Sequence, residues 1–422
     1  MKTKNLLSSI EFVLILGFIV SLPFYINLNS FIIILLAINF IARLVMEPHF
    51  FFGEKSKYVF IFVLLFLLYL VVFLLAARHG TWFVIEKKIS LLIFPIIFGF
   101  TNRESFDDGK VRIILLSFVM AVIVAIIVSF KSNFHVLLAD HQDNIDSFLI
   151  MHRPYFGMYV LFSVFILIYL ASSLNKLYFT IILFFLACIL AYFAYIIYAK
   201  MAIGSFIIAL FITIAVFLFK RAKRSFAFLF LIFFTLPLFF LVLSNEYVNE
   251  ILRKVASGQS FDLAQYRWIY FLSLNIRYVI WECVWKLLST DYNWIFGCGL
   301  ENQRLLNACY YSDGSIWFKY NLDPSMPMIS EHFSFNAHNE YLQCWLDTGI
   351  IGFLALLASF VASIQIALRK ENFLYLAFSI FFIFCCLTES MLSSQKGIVF
   401  YSFFNSFFAF EFFKPMQKKD SI

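Results

Sequence analysis

Apolar runs of about 17–25 residues, each long enough to cross about 30 Å of hydrocarbon, recur from one end of the chain to the other. Residues 10–27, 30–46, 57–77, 82–100, 111–130, 154–173, 176–198, 201–219, 226–244, 342–367, 372–388 and 395–412 read as about twelve membrane-spanning helices. Lys87 and Lys88 interrupt the fourth. The first follows Met-Lys-Thr-Lys without a small-residue cleavage site, so it reads as a retained helix and not a removed signal peptide. The expected fold is an all-α integral membrane protein. A bundle of about nine spans over residues 1–244 is followed by a polar loop over 245–341 and three spans over 342–422.

Composition agrees, and charge adds an orientation. Of 422 residues, 63% are hydrophobic and only 14% charged, against roughly a quarter charged in soluble domains. About 18 Lys and Arg fall on one set of alternate connections, which holds the N-terminus, Arg43, Lys110, Lys176, the run KRAKR, Arg369 and Lys414, and far fewer on the other. The positive-inside rule then places both termini in the cytoplasm and the long loop outside.

That loop breaks the pattern of short connections, and long loops in compact proteins are usually functional. Within it, LAQYRWIYFLSLNIRYVIWECVWKLL (263–288) mixes Trp, Tyr and Arg with aliphatics and reads as a helix at the membrane surface, ended by a turn at FGCGLENQ. Cys298 and Cys309 lie in the loop and form a candidate pair in an oxidising compartment. The chain has no CxxC, Walker loop or GxGxxG, so ATP, nicotinamide and thioredoxin-like readings lack support, and no cofactor is expected.

Ionisable groups at membrane depth are costly and default to functional hypotheses. On the outer side they are mainly cations. Lys200 sits between two closely joined spans in AYIIYAKMAIGSF, Arg153 opens the sixth span in MHRPYFGMY, and Lys87 and Lys88 fall near the outer end of the fourth. Arg277 lies four residues before Trp281, on the same helical face. Gathered together they make a positive, outward-facing pocket suited to a lipid diphosphate, with guanidinium groups gripping oxygens bidentately and ammonium groups acting as point charges. The competing account is that each snorkels to lipid headgroups.

His338, Asn339 and Glu340 stand in a row where the polar loop meets the tenth span. An imidazole titrates near neutrality and suits proton removal from a sugar hydroxyl, with Asn339 and Glu340 placed to support it. The same residues also suit a helix cap, with Glu340 at the positive N-terminal end. A metal set of Glu331, His332, His338 and Glu340 matches no compact ligand spacing such as HExxH, and no metal is expected. Gly349 and Gly352 read as points of close helix approach.

The stretch AHNEYLQCWLDTGIIGF resembles the hallmark of the O-antigen ligase and polymerase superfamily, roughly His-Asn-x-x-Leu followed by Gly-x-x-Gly at the start of a late span. IRYVIWECVWKLLSTDYNWIFGCGLEN is similar to the family's Arg-x-x-x-Trp stretch leading to Gly-x-Gly, and YAKMAIGS and HRPYFGMYV resemble two shorter motifs. The resemblance covers about the C-terminal two-thirds of the chain. It implies an inner-membrane glycosyltransferase that moves a glycan from an undecaprenyl-diphosphate carrier at the periplasmic face, by inverting attack and without nucleotide or metal.

Carried over by residue, His338 is the base that activates the acceptor hydroxyl and Arg277 grips the carrier diphosphate. Lys200 stands where the family has a second Arg, which keeps the charge but loses the bidentate fork. Arg153, Lys87 and Lys88 are supplements, and Asn339, Glu340 and Trp281 supports. The acceptor stays open: lipid A-core for a ligase, the carrier-linked chain for a polymerase, or a protein. The length and single long loop favour a ligase, with membrane lipids and no nucleic acid among the partners. A flippase is the alternative of another class, and it requires paired halves or broken helices that the sequence does not display.

Overall fold

The computed structural model describes residues 2–46, 54–76, 82–100, 106–137, 149–173, 176–221, 274–300, 302–312 and 336–411, and every regular element among them is helical. In chain order these are α1 (Lys2–Ser21), α2 (Ile26–Met46), α3 (Glu54–Ala76), α4 (Trp82–Lys88), α5 (Ser90–Phe100), α6 (Asp108–Leu137), α7 (Arg153–Ser172), α8 (Leu177–Ile196), α9 (Lys200–Arg221), α10 (Leu274–Leu288), α11 (Asn293–Phe296), α12 (Asn302–Ser312), α13 (Glu340–Arg369), α14 (Phe373–Cys385) and α15 (Gln395–Ser406). A π-helical turn, Phe407–Glu411, follows α15.

Among the described residues seven helices, α2, α3, α6, α7, α8, α9 and α13, are long and apolar enough to cross a membrane, and α1 and α14 contain shorter apolar stretches. The chain is thus built as a multi-pass membrane protein. The expected ninth span, 226–244, lies outside the described residues. The expected fourth span is two helices, α4 and α5, meeting at Ile89. Lys88 accounts for the break. Its side chain turns inward, where its ammonium donates to the Leu392 carbonyl at 2.8 Å and sits 3.8 Å from the Tyr69 ring centroid. Carbonyl and ring face together satisfy a charge that hydrocarbon cannot.

The described chain divides into two compact units, Met1–Leu210 with Leu354–Ile422, and Phe211–Phe353. In the first unit α15 is wrapped on all sides: every residue from Lys396 to Ser406 is buried. A helix apolar all round belongs in a core. Its Phe404 meets Phe118 and Phe162 edge-on, with centroids 5.0 Å and 4.8 Å apart, the geometry that the ring quadrupole favours. Several of the polar groups inside are paired. Asn405 accepts from Ser363 and Tyr375 at 2.7 Å and 2.8 Å, and Glu11 of α1 pairs with Arg43 of α2.

The second unit is organised around α10. Val279, Ile280, Cys283, Val284 and Leu288 recur at helical spacing and bury one face against Leu306 and Tyr310 of α12, with Ala337 and Leu346. Protein fills this face, so the described part of the predicted surface helix is a core element of its unit. The same contact brings Cys283 to Cys309, whose Cα atoms are 5.8 Å apart and whose sulfurs are bonded. This corrects the expected pairing: Cys309 bonds Cys283, and Cys298 keeps its thiol.

At Gly349 the backbone of α13 leaves helical geometry, with φ 70° and ψ −170°. The turn after α11 fits against this kink. A Cβ on Gly349 would strike the Ile295 carbonyl and come within 2.7 Å of the Phe296 carbonyl carbon, and one on Gly297 would come within 2.6 Å of the Gly349 nitrogen. Gly349 therefore admits a turn of its own unit. Gly352 differs: a Cβ there would strike the Thr348 side chain one turn back on α13, so its smallness makes room inside its own helix.

Two outcomes follow from this unit. Peptide mapping without reductant should recover Cys283 linked to Cys309. Burial and the Asp347 carboxylate push the Cys298 thiol up to about 11, so alkylation at about pH 8 should be slow, with about one thiol in a thousand ionised. A Cys298–Cys309 link would contradict the assignment. Gly349→Ala should destabilise the protein by about 2 kcal/mol or more, while Gly299→Ala, also at positive φ but facing open space, should cost about 1 kcal/mol. Equal falls in melting temperature would show that the turn does not press on the kink.

Candidate active site

His338 lies two residues before the first helical residue of α13, in left-handed backbone with φ 44°. A non-glycine residue there costs about 1–2 kcal/mol and persists only where its neighbours hold it. They do. The His338 N–H donates to Asn336 Oδ1 at 2.9 Å, and the Ala337 N–H donates to Gln343 Oε1 at 2.8 Å. Trp281 Nε1 donates to the Ala337 carbonyl at 2.8 Å.

Asn339 is the cap of α13. Its side-chain oxygen accepts the Leu342 N–H at 3.1 Å and its carbonyl the Gln343 N–H at 2.9 Å. Glu340 opens the helix fully buried, where the N-terminal end of the dipole favours a carboxylate. The capping account of this stretch is thus observed, and other residues, Asn336, Gln343 and Trp281, fix the backbone that carries the histidine.

Trp281 joins this lip to α10, and Arg277 lies one helical turn before it on the same face. The structure thus ties Arg277, Trp281, His338, Asn339 and Glu340 into one unit. A rim of aromatics adjoins them. Trp345 donates to the Trp294 carbonyl at 2.9 Å, meets Trp285 edge-on at 5.5 Å and stacks on Phe353 at 5.3 Å.

Three residues missed by sequence reasoning lie beneath the lip. Asn302, Gln343 and Asp347 are buried and bonded to one another. Asp347 Oδ1 accepts from Asn302 Nδ2 at 2.5 Å and from Gln343 Nε2 at 2.7 Å. Gln343 Nε2 also donates to Asn302 Oδ1 at 3.1 Å, and Asn302 Nδ2 to the Gly299 carbonyl at 2.7 Å. The available signal was two polar residues four apart in an otherwise apolar helix.

The first unit carries the remaining cations. Arg153 and Lys200 open α7 and α9, and the two helices touch through small side chains. A Cβ on Gly157 would come within 2.6 Å of Ala199 Cβ and 3.3 Å of Ala202 Cβ. Arg153 stands one turn before Gly157 and Lys200 directly follows Ala199, so the two cations flank this contact. Each stands at a helix N-terminus, the end that attracts anions. Lys87 lies 4.1 Å from the Phe83 centroid, and Lys88 is engaged inward with Leu392.

Among the described residues no group of three His, Cys, Asp or Glu is placed to hold a metal ion, and Glu331 and His332 lie outside them. A comparison with curated proteins finds no match. Residues 185–357, which run from within α8 to within α13 and hold Lys200, Arg277 and His338, match the family profile described as O-Antigen ligase. This stretch of the chain is thus similar to O-antigen ligases, the family that its motifs also resemble.

Proposed function

We propose that the protein is a ligase-type glycosyltransferase that moves a glycan from an undecaprenyl-diphosphate carrier to a sugar hydroxyl of lipid A-core at the periplasmic face. The observation that carries this reading is the position of His338 inside the matched domain, on backbone fixed from both sides at the mouth of a membrane helix. The acceptor hydroxyl attacks the anomeric carbon with inversion and passes its proton to His338. The carbon–oxygen bond to the diphosphate breaks, and Arg277 stabilises the charge that grows on the leaving group. Within the first unit, Lys200 and Arg153 each open a helix, a position that also suits an anionic group. The Cys283–Cys309 bond supports an outward orientation for α10 and α12, because such bonds persist in oxidising compartments.

Reconstituted with a carrier-linked oligosaccharide and lipid A-core, the protein should glycosylate the core. Growth of the carrier-linked chain instead would identify a polymerase, and glycan crossing the vesicle without transfer would end the enzyme reading. His338→Ala should lower transfer by about a hundredfold or more, within the usual range for general-base removal, while insertion and the disulfide are kept. Full activity in that variant would remove the base assignment. Arg277→Lys should weaken donor use more than Lys200→Arg, since only the first loses a bidentate fork. Equal losses would contradict that ranking.

A further inference from the structure

We propose that Gln343 is a positioning residue for His338, held in one amide orientation by Asn302 and the Asp347 carboxylate. The inference rests on the reading of His338 as the base. Its warrant is the set of donors and acceptors that Gln343 and Asn302 meet. A carboxylate has no proton to give, so Asp347 draws the nitrogens of both amides toward it. Both hydrogens of Gln343 Nε2 are then used, on Asp347 and on Asn302 Oδ1. Both hydrogens of Asn302 Nδ2 are used as well, on Asp347 and on the Gly299 carbonyl.

Only the carbonyl oxygen of Gln343 is left to face the loop, and it accepts the Ala337 N–H at 2.8 Å. Turning either amide over would set N–H against N–H in a buried site, a costly arrangement. The charge on Asp347 therefore dictates, through one amide, where the peptide before His338 sits. Trp281 fixes the carbonyl of the same residue from the opposite element. Between them they hold His338 in a backbone conformation that it would not keep alone.

The network has a polarity that an exchange of charge can test. Asp347→Asn removes the acceptor that orders both amides. Gln343→Glu sets two carboxylates side by side. In the double variant the carboxylate at position 343 accepts from Ala337, from the amide at 347 and from Asn302, which turns over at the cost of facing its oxygen to the Gly299 carbonyl. Gln343→Leu keeps the bulk and removes the acceptor altogether.

The measurements are kcat and donor KM with an undecaprenyl-diphosphate-linked oligosaccharide and lipid A-core, and the rate at which diethyl pyrocarbonate modifies His338, read by peptide mass spectrometry. The intact Cys283–Cys309 bond and melting temperature report folding. Each single variant should lower kcat by about tenfold to a hundredfold, the scale of a small misplacement of a reacting group, with donor KM unchanged. His338 modification should shift with kcat, and the double variant should recover most of both losses. Folded single variants with kcat and His338 reactivity unchanged would overturn the proposal. So would a loss that the double variant does not recover, or a loss with His338 reactivity as in the parent. An active His338→Ala would end the base reading instead, and His338 reactivity in the Gln343 variants would still show whether this amide sets the ring.

Discussion

The approach of two glycine-containing backbones, the turn at 293–299 and the kink at Gly349, is the contact on which the rest of the second unit depends. Neither Gly297 nor Gly349 accepts a Cβ. Because they touch, the Cys298 N–H reaches the Leu346 carbonyl at 2.7 Å and Asn302 reaches Asp347. Because Asn302 and Asp347 meet, Gln343 has one orientation, and through it the Ala337 N–H has a fixed partner. A close backbone approach thus becomes a placed imidazole, with each step a bond between named groups. The Cys283–Cys309 bond acts on the same elements from the other end, locking α12, which begins with Asn302, onto α10, which carries Arg277.

Much of this was legible in the sequence, for physical reasons. Hydrophobic length alone locates α2, α3, α6, α7, α8, α9 and α13, because the bilayer demands it. The row at 338–340 was visible because polar residues at a membrane boundary are conspicuous. Other features were not legible. The fourth span reads as one run because Leu392, which satisfies Lys88, lies some three hundred positions away in the chain. The disulfide partner of Cys309 could not be chosen by spacing, since packing of α10 on α12 decides it. Asn302, Gln343 and Asp347 were overlooked because a buried network is defined by its bonds and not by its composition.

Charges in the first unit divide according to what satisfies them. Lys88 and Lys396 are buried and donate to main-chain carbonyls, Lys396 to those of Leu22 and Phe24 at 2.8 Å and 3.2 Å. Such cations brace helix ends and breaks. Arg153 and Lys200 are instead only partly buried and open α7 and α9. Depth of burial thus separates Lys88 and Lys396 from Arg153 and Lys200.

The most direct measurement is an experimental structure with a non-transferable carrier-diphosphate glycan bound. The account predicts the diphosphate oxygens on the Arg277 guanidinium and the His338 ring facing the anomeric carbon across the space for an acceptor hydroxyl. A diphosphate held away from Arg277, with His338 out of reach of the reacting atoms, would contradict it.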